Sequence, residues 1–198
     1  MNPLERFAQR FRRYNRLSNI GEIARRYFAM NAFDGVLTII GVLMGNFTAG
    51  VEEPRIVVTT GMTTCIAMGI SGLWGAYLTE AAERQRELHE LEGITLTSLS
   101  ETSLGEASRA AVVIVAAVDG FSPFLAALIV LLPFFFAHLF PTVHWVYFSA
   151  LGLSLLALFG LGVFLGRVSR QNVFLYGLRT VIAGGISIII SLLLGGSH

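Results

Sequence analysis

Asn31–Gly50, NAFDGVLTIIGVLMGNFTAG, is an apolar run that keeps one carboxylate inside it, Asp34, followed at once by Gly35. An ionised aspartate at the centre of a bilayer costs at least about 2.5 kcal/mol. Chains that retain one turn it toward a protein interior, a cation or a proton path. A second copy of the pattern occurs downstream, where Ala117-Val118-Asp119-Gly120 echoes Ala32-Phe33-Asp34-Gly35. The functional reading starts from these two acids.

The rest of the chain has the same character. Of its 198 residues, 54% are hydrophobic and only 14% charged, with a mean hydropathy of +0.68. Soluble domains carry about 25% charged residues. The expected class is therefore an all-α, polytopic membrane protein rather than a soluble enzyme. Net charge is +1, which gives no reason to expect nucleic acid as a partner. Cys65 is the only cysteine, which excludes an internal disulfide and a cysteine-based metal cluster within one chain. No permanently bound cofactor is expected.

Five spans are readable: Tyr27–Gly50, Ile56–Leu78, Ser103–Ala137, Trp145–Leu165 and Phe174–Leu194. Residues 1–26 form a basic arm. Within it Leu4, Phe7, Phe11, Tyr14 and Leu17 recur at helical steps, which predicts an amphipathic helix over 2–19 lying on an anionic membrane surface or docking on its own protein. That arm has seven arginines and no continuous apolar core, so the first span, not a cleaved leader, is expected to serve as the insertion signal. Residues 27–198 form the five-helix membrane domain. The second span continues past the apolar run as a cytoplasmic stalk, and stalk and loop together occupy 79–105, with Gly93 ending the helix. Ser103 and Glu106 have the spacing of a capping box that opens the third span, which contains Pro123 and Pro133.

Arginine placement sets the orientation. Seven arginines lie in the arm, Arg84, Arg86 and Arg109 flank the second connection, and Arg167, Arg170 and Arg179 flank the fourth, whereas the opposite side has only Arg55. The N-terminus is thus expected in the cytoplasm and, after five spans, the C-terminus outside, in the plasma membrane of a prokaryote. Asp34 and Asp119 fall on spans that point the same way. Each lies about three turns or less past a basic residue, Arg26 or Arg109, which sets both near the midplane. Parallel repeats with site residues at that depth are a transporter pattern.

Two carboxylates in a low-dielectric cleft avoid the charge penalty by binding a cation or by taking up a proton. Exchange between those states is the chemistry of a proton-coupled cation carrier, and hard oxygen ligands suit Fe2+ or Mn2+. Asp34, Asp119, Met44, Met68 and Glu80 are the candidate path residues. Thioethers at Met44 and Met68 would favour a softer ion, and plain apolar packing is their other reading. Glu80, Glu83, Glu87 and Glu90 share one stripe of the stalk and, with Asp34 and Asp119, are candidate metal ligands. The same stripe also reads as a solvated helix in which Glu80 reaches Arg84 and Glu83 reaches Arg86. Gly35, Gly41, Gly45, Gly69, Gly72 and Gly184 mark places for close helix approach, within one chain or across a dimer. His138 and His144 flank the outer loop and read as interfacial residues or weak exit ligands.

Four stretches resemble the vacuolar iron transporter (VIT) family: Asn31-Ala32-Phe33-Asp34-Gly35, the run from Gly75-Ala76-Tyr77 to Gln85-Arg86-Glu87, Leu131-Leu132-Pro133-Phe134, and Gly177–Gly185. The resemblance spans about residues 24–195. It implies a homodimer that moves ferrous iron or manganese out of the cytosol, coupled to protons, along a path between subunits. Asp34 matches the family's first-helix pore aspartate. The family's second-helix glutamate falls at Ala76, its long cytoplasmic metal-binding domain is reduced to stalk and loop, and Asp119 matches no family position.

Two other classes compete. A membrane scaffold or assembly protein accounts for the basic arm but not for two midplane acids. Gly69-Ile70-Ser71-Gly72 has the Gly-x-Ser-Gly form of an intramembrane serine protease, but that chemistry needs a histidine beside the serine. Ser71 falls in the inner half of its span, away from His138, His144 and His89.

Overall fold

The computed structural model describes residues 20–195. Nearly all of them are helical: α1 Ile20–Thr48, α2 Pro54–Thr95, α3 Ser103–Phe135, α4 Val143–Val168 and α5 Val173–Gly195, with a 3-10 turn at Ala137–Leu139. All five helices are long and apolar enough to cross a membrane. The all-α, five-span architecture is as expected. The amphipathic helix expected over 2–19 lies outside the described residues.

Helix ends differ from the spans in an instructive way. α1 begins at Ile20, ahead of Tyr27, because Glu22–Arg26 is charged but contains no Gly or Pro, and Glu22 in the first turn complements the positive helix end. Hydropathy marks where the bilayer starts, not where the helix does. α2 opens with Pro54 at its first position, where a missing N–H costs nothing, and then runs unbroken through the stalk to Thr95, passing through Gly93, the end expected from sequence, because a single glycine weakens a helix without stopping it. The connection after it is tied back to α2. The Glu92 carboxylate accepts the Leu99 N–H at 2.7 Å and the Ser98 hydroxyl at 3.4 Å. α3 starts at Ser103 as expected, but the cap is Thr102, whose hydroxyl accepts the Leu104 N–H at 3.3 Å. Pro123 and Pro133 both sit inside α3 without ending it. Asn172 caps α5 by accepting the N–H groups of Phe174 and Leu175.

The described chain divides into two compact units. The first comprises Ala29–Gly69 together with residues from Ser122 onward. Val36, Ile39, Ile40, Leu43 and Met44 give α1 one apolar stripe, which packs into a core with Val57 and Cys65 of α2, Leu131 and Phe134 of α3 and Tyr147 and Leu158 of α4. Tyr147 is buried but satisfied. Its hydroxyl donates to the Val51 carbonyl at 2.9 Å, and its ring meets Phe134 and Phe47 edge-on. Thr180 of α5 donates to the Leu158 carbonyl of α4 at 2.7 Å. A Cβ added at Gly184 would strike the side chains of Leu158 and Leu155. The remaining α5 surface, with Ile182, Ile186, Ile189 and Leu193, is exposed and apolar, as a face in contact with lipid tails should be.

The second unit comprises Ile70–Phe121 and the described residues up to Phe28. Its interior is built from small side chains, among them Ala76, Ala107, Ala111, Val115 and Ala116, and it buries one acid, Asp119.

Candidate ion site and acidic stalk

Asp34 and Gly35, about 100° apart around α1, have different surroundings. Gly35 is buried, and a Cβ there would lie 2.5 Å from the Pro123 carbonyl oxygen and 2.6 Å from the Pro123 Cα. Only glycine allows the α1 backbone to approach α3 so closely. Asp34 instead is exposed, and its carboxylate makes no hydrogen bond or ion pair among the described residues. Thr38 donates to the Asp34 carbonyl at 2.8 Å. Gly41 and Gly45, one and two further turns along, are also exposed and have no neighbour within 4 Å of an added Cβ. Asp34, Thr38, Gly41 and Gly45 therefore form a narrow stripe of small and polar residues on the side of α1 away from its core stripe.

The two methionines do not share that stripe. Met44 is buried in the first unit's core and Met68 packs against it, which is where apolar packing would put them. Of the candidate packing glycines, Gly35, Gly72 and Gly184 meet neighbours in this chain, whereas Gly41 and Gly45 meet none.

Asp119 belongs to the other unit. It is only 9% exposed. α2 comes close to it at Gly72, where a Cβ would stand 2.9 Å from the Asp119 carbonyl oxygen and 3.1 Å from its Oδ2. Pro123 has no N–H to offer the carbonyl four residues back, which is that of Asp119. Glu80 lies in the same unit, where its carboxylate accepts the Tyr27 hydroxyl at 3.4 Å and pairs with Arg84 at 3.4 Å. Tyr27 stands in the field of both Glu80 and Asp119. Tyr27 is the residue that sequence reasoning missed as part of this neighbourhood, since nothing in its local pattern marks it as more than an interfacial aromatic. Ala76, where the family resemblance would put a glutamate, is buried.

All four stalk glutamates are engaged. Arg84 holds Glu80 and Glu87, the latter at 3.2 Å, and Arg86 holds Glu83 at 3.9 Å and Glu90 at 3.0 Å. The hydrogen bond that Arg86 donates to the Glu90 carboxylate, then the charge of Glu83, raise the pKa of the Arg86 guanidinium above its ordinary value. Among the described residues no group of three or more His, Cys, Asp or Glu side chains is assembled to hold a metal ion. His89 turns to its own helix, with Nδ1 2.8 Å from the Gln85 carbonyl.

A family model described as the VIT family matches residues 26–98 and 94–196. The chain is also 29% identical over 173 residues to an uncharacterized protein of Methanocaldococcus jannaschii, a match that covers 86% of this chain and 87% of that protein.

Proposed function

The chain belongs to the VIT family, a family of membrane metal transporters, and from that premise we propose that it carries Fe2+ or Mn2+ out of the cytosol in exchange for protons. Asp34 is the ion-binding group of the path, and a second copy of the chain supplies the other wall. The supporting observation is the unfilled stripe of α1. It carries an exposed carboxylate with no partner among the described residues, on a face of glycines and one threonine. In a bilayer that face cannot rest against acyl chains without a penalty of several kcal/mol. Placed against its own copy, it would give two aspartates opposite each other along a narrow, small-residue seam. Such a seam can hold a partly hydrated cation, or protons in its place. Asp119 acts as a second acid of the exchange, with Glu80 as an entry ligand. The stalk glutamates collect metal only where a cation displaces Arg84 and Arg86.

The arginine asymmetry supports a cytoplasmic N-terminus and an external C-terminus in a prokaryotic plasma membrane. The decisive experiment uses proteoliposomes containing a metal-sensing dye. Mn2+ or Fe2+ should enter with the wild-type protein and fail to enter with Asp34→Asn, while Asp119→Asn is slowed. Equal traces for all three proteins would reject the carrier.

A further inference from the structure

A cleft of about 630 Å3 opens within the unit containing Ile70–Phe121. One wall is a single stripe of α2 running from Tyr77 through Arg84 to His89 and Glu92, and the other is the start of α3, with Ser108, Arg109 and Val113. Ser100 of the connection closes one end. The cleft is graded along its length. Tyr77 and Val113, 44% and 61% exposed, lie where both helices are apolar, and the serines and arginines lie where both turn polar. This gradient runs in the sense of a membrane surface, since α2 leaves its apolar run after Leu78 and α3 enters its own near Ala110.

The charges in the cleft are not equivalent. Arg84 is already held by Glu80 and Glu87. Arg109 has only the Ser100 carbonyl, at 3.0 Å, and no acid among the described residues. Glu92 is the one carboxylate on the wall, and it is turned to the Leu99 N–H and the Ser98 hydroxyl. His89 turns its Nδ1 to the Gln85 carbonyl of its own helix. A guanidinium with no acid partner among the described residues, beside serine hydroxyls, is matched by a phosphate oxygen.

We propose that this cleft binds an anionic phospholipid from the leaflet on the stalk side. Its phosphate lies on Arg109 with the hydroxyls of Ser100 and Ser108, and an acyl chain runs along Tyr77 and Val113. A free phosphate ion shares the headgroup chemistry but has no use for the apolar end, so the lipid is the occupant that satisfies both.

The test titrates purified full-length protein with phosphatidylglycerol and reads the tightest-bound lipid by native mass spectrometry. The basic arm is common to every variant, so differences isolate the cleft. Arg109→Gln is expected to weaken retention about tenfold, the size of one charge-assisted contact. Val113→Trp, at an exposed position where a larger side chain does not disturb packing, narrows the cleft without changing charge and is expected to weaken it similarly. Retention unchanged in both variants overturns the proposal. A loss with Arg109→Gln alone also overturns it, because that pattern means diffuse attraction to the basic surface. Displacement of the lipid by an equal concentration of glycerol phosphate overturns it in favour of a free-anion site.

Discussion

Asp34 and Gly35 are neighbours in the chain with opposite surroundings, and each makes its own prediction. Gly35→Ala forces a methyl group into the Pro123 backbone, which has no flexible end to give way. The expected loss of stability is about 1–3 kcal/mol, seen as a lower midpoint of thermal unfolding in detergent. Gly41→Leu meets nothing in this chain. It should leave that midpoint nearly unchanged but reduce the dimer fraction measured by light scattering, because the added side chain stands in the proposed seam. Reversal of the two outcomes would place the subunit contact elsewhere. The sequence marked Asp34 as a polar group in the wrong medium, and it marked the glycines as small. It could not separate Gly35 from Gly41, because what a helix face meets depends on where the other helices lie.

Among the elements, α2 was the most legible and its connection to α3 the least. The apolar run followed by a charged helical pattern predicted one continuous span and stalk, and a single helix from Pro54 to Thr95 carries both. The capping pattern located the start of α3 but chose the wrong hydroxyl, since Thr102 and Ser103 are adjacent and only backbone geometry decides which reaches the second N–H. Thr102→Ala is therefore expected to cost about 1 kcal/mol, and Ser103→Ala little, in matched thermal unfolding. The stalk tests differently. Replacing Glu83, Glu87 and Glu90 with Gln should lower Mn2+ binding in a titration without changing helical circular dichroism. Binding equal to wild type would leave the stalk as an ion-paired helix. The Arg86 pairs with Glu83 and Glu90 are exposed and worth little individually, and the replacement leaves the half-buried Glu80–Arg84 pair in place, so the spans are expected to stay folded.

For the whole molecule, the number of spans was legible because bilayer thickness sets a length that each apolar run must reach. The division into two units was not, because it depends on which helix segments cluster rather than on hydropathy. Orientation makes the remaining prediction. Cys65 is buried and the only thiol, so background labelling is low. In intact cells a membrane-impermeant maleimide should label Glu53→Cys, in the exposed connection between α1 and α2, and should reach Ile94→Cys only after permeabilisation; the reverse pattern inverts the topology. The unbroken length of α2 has one more effect. Its 42 residues extend about 63 Å, roughly twice the hydrocarbon thickness. Between Glu80 and Glu92 the helix advances about 18 Å, some two Debye lengths at physiological salt. The base of this mast feels the charge of the lipid surface, and its tip meets dissolved cations at the concentration of the bulk solution.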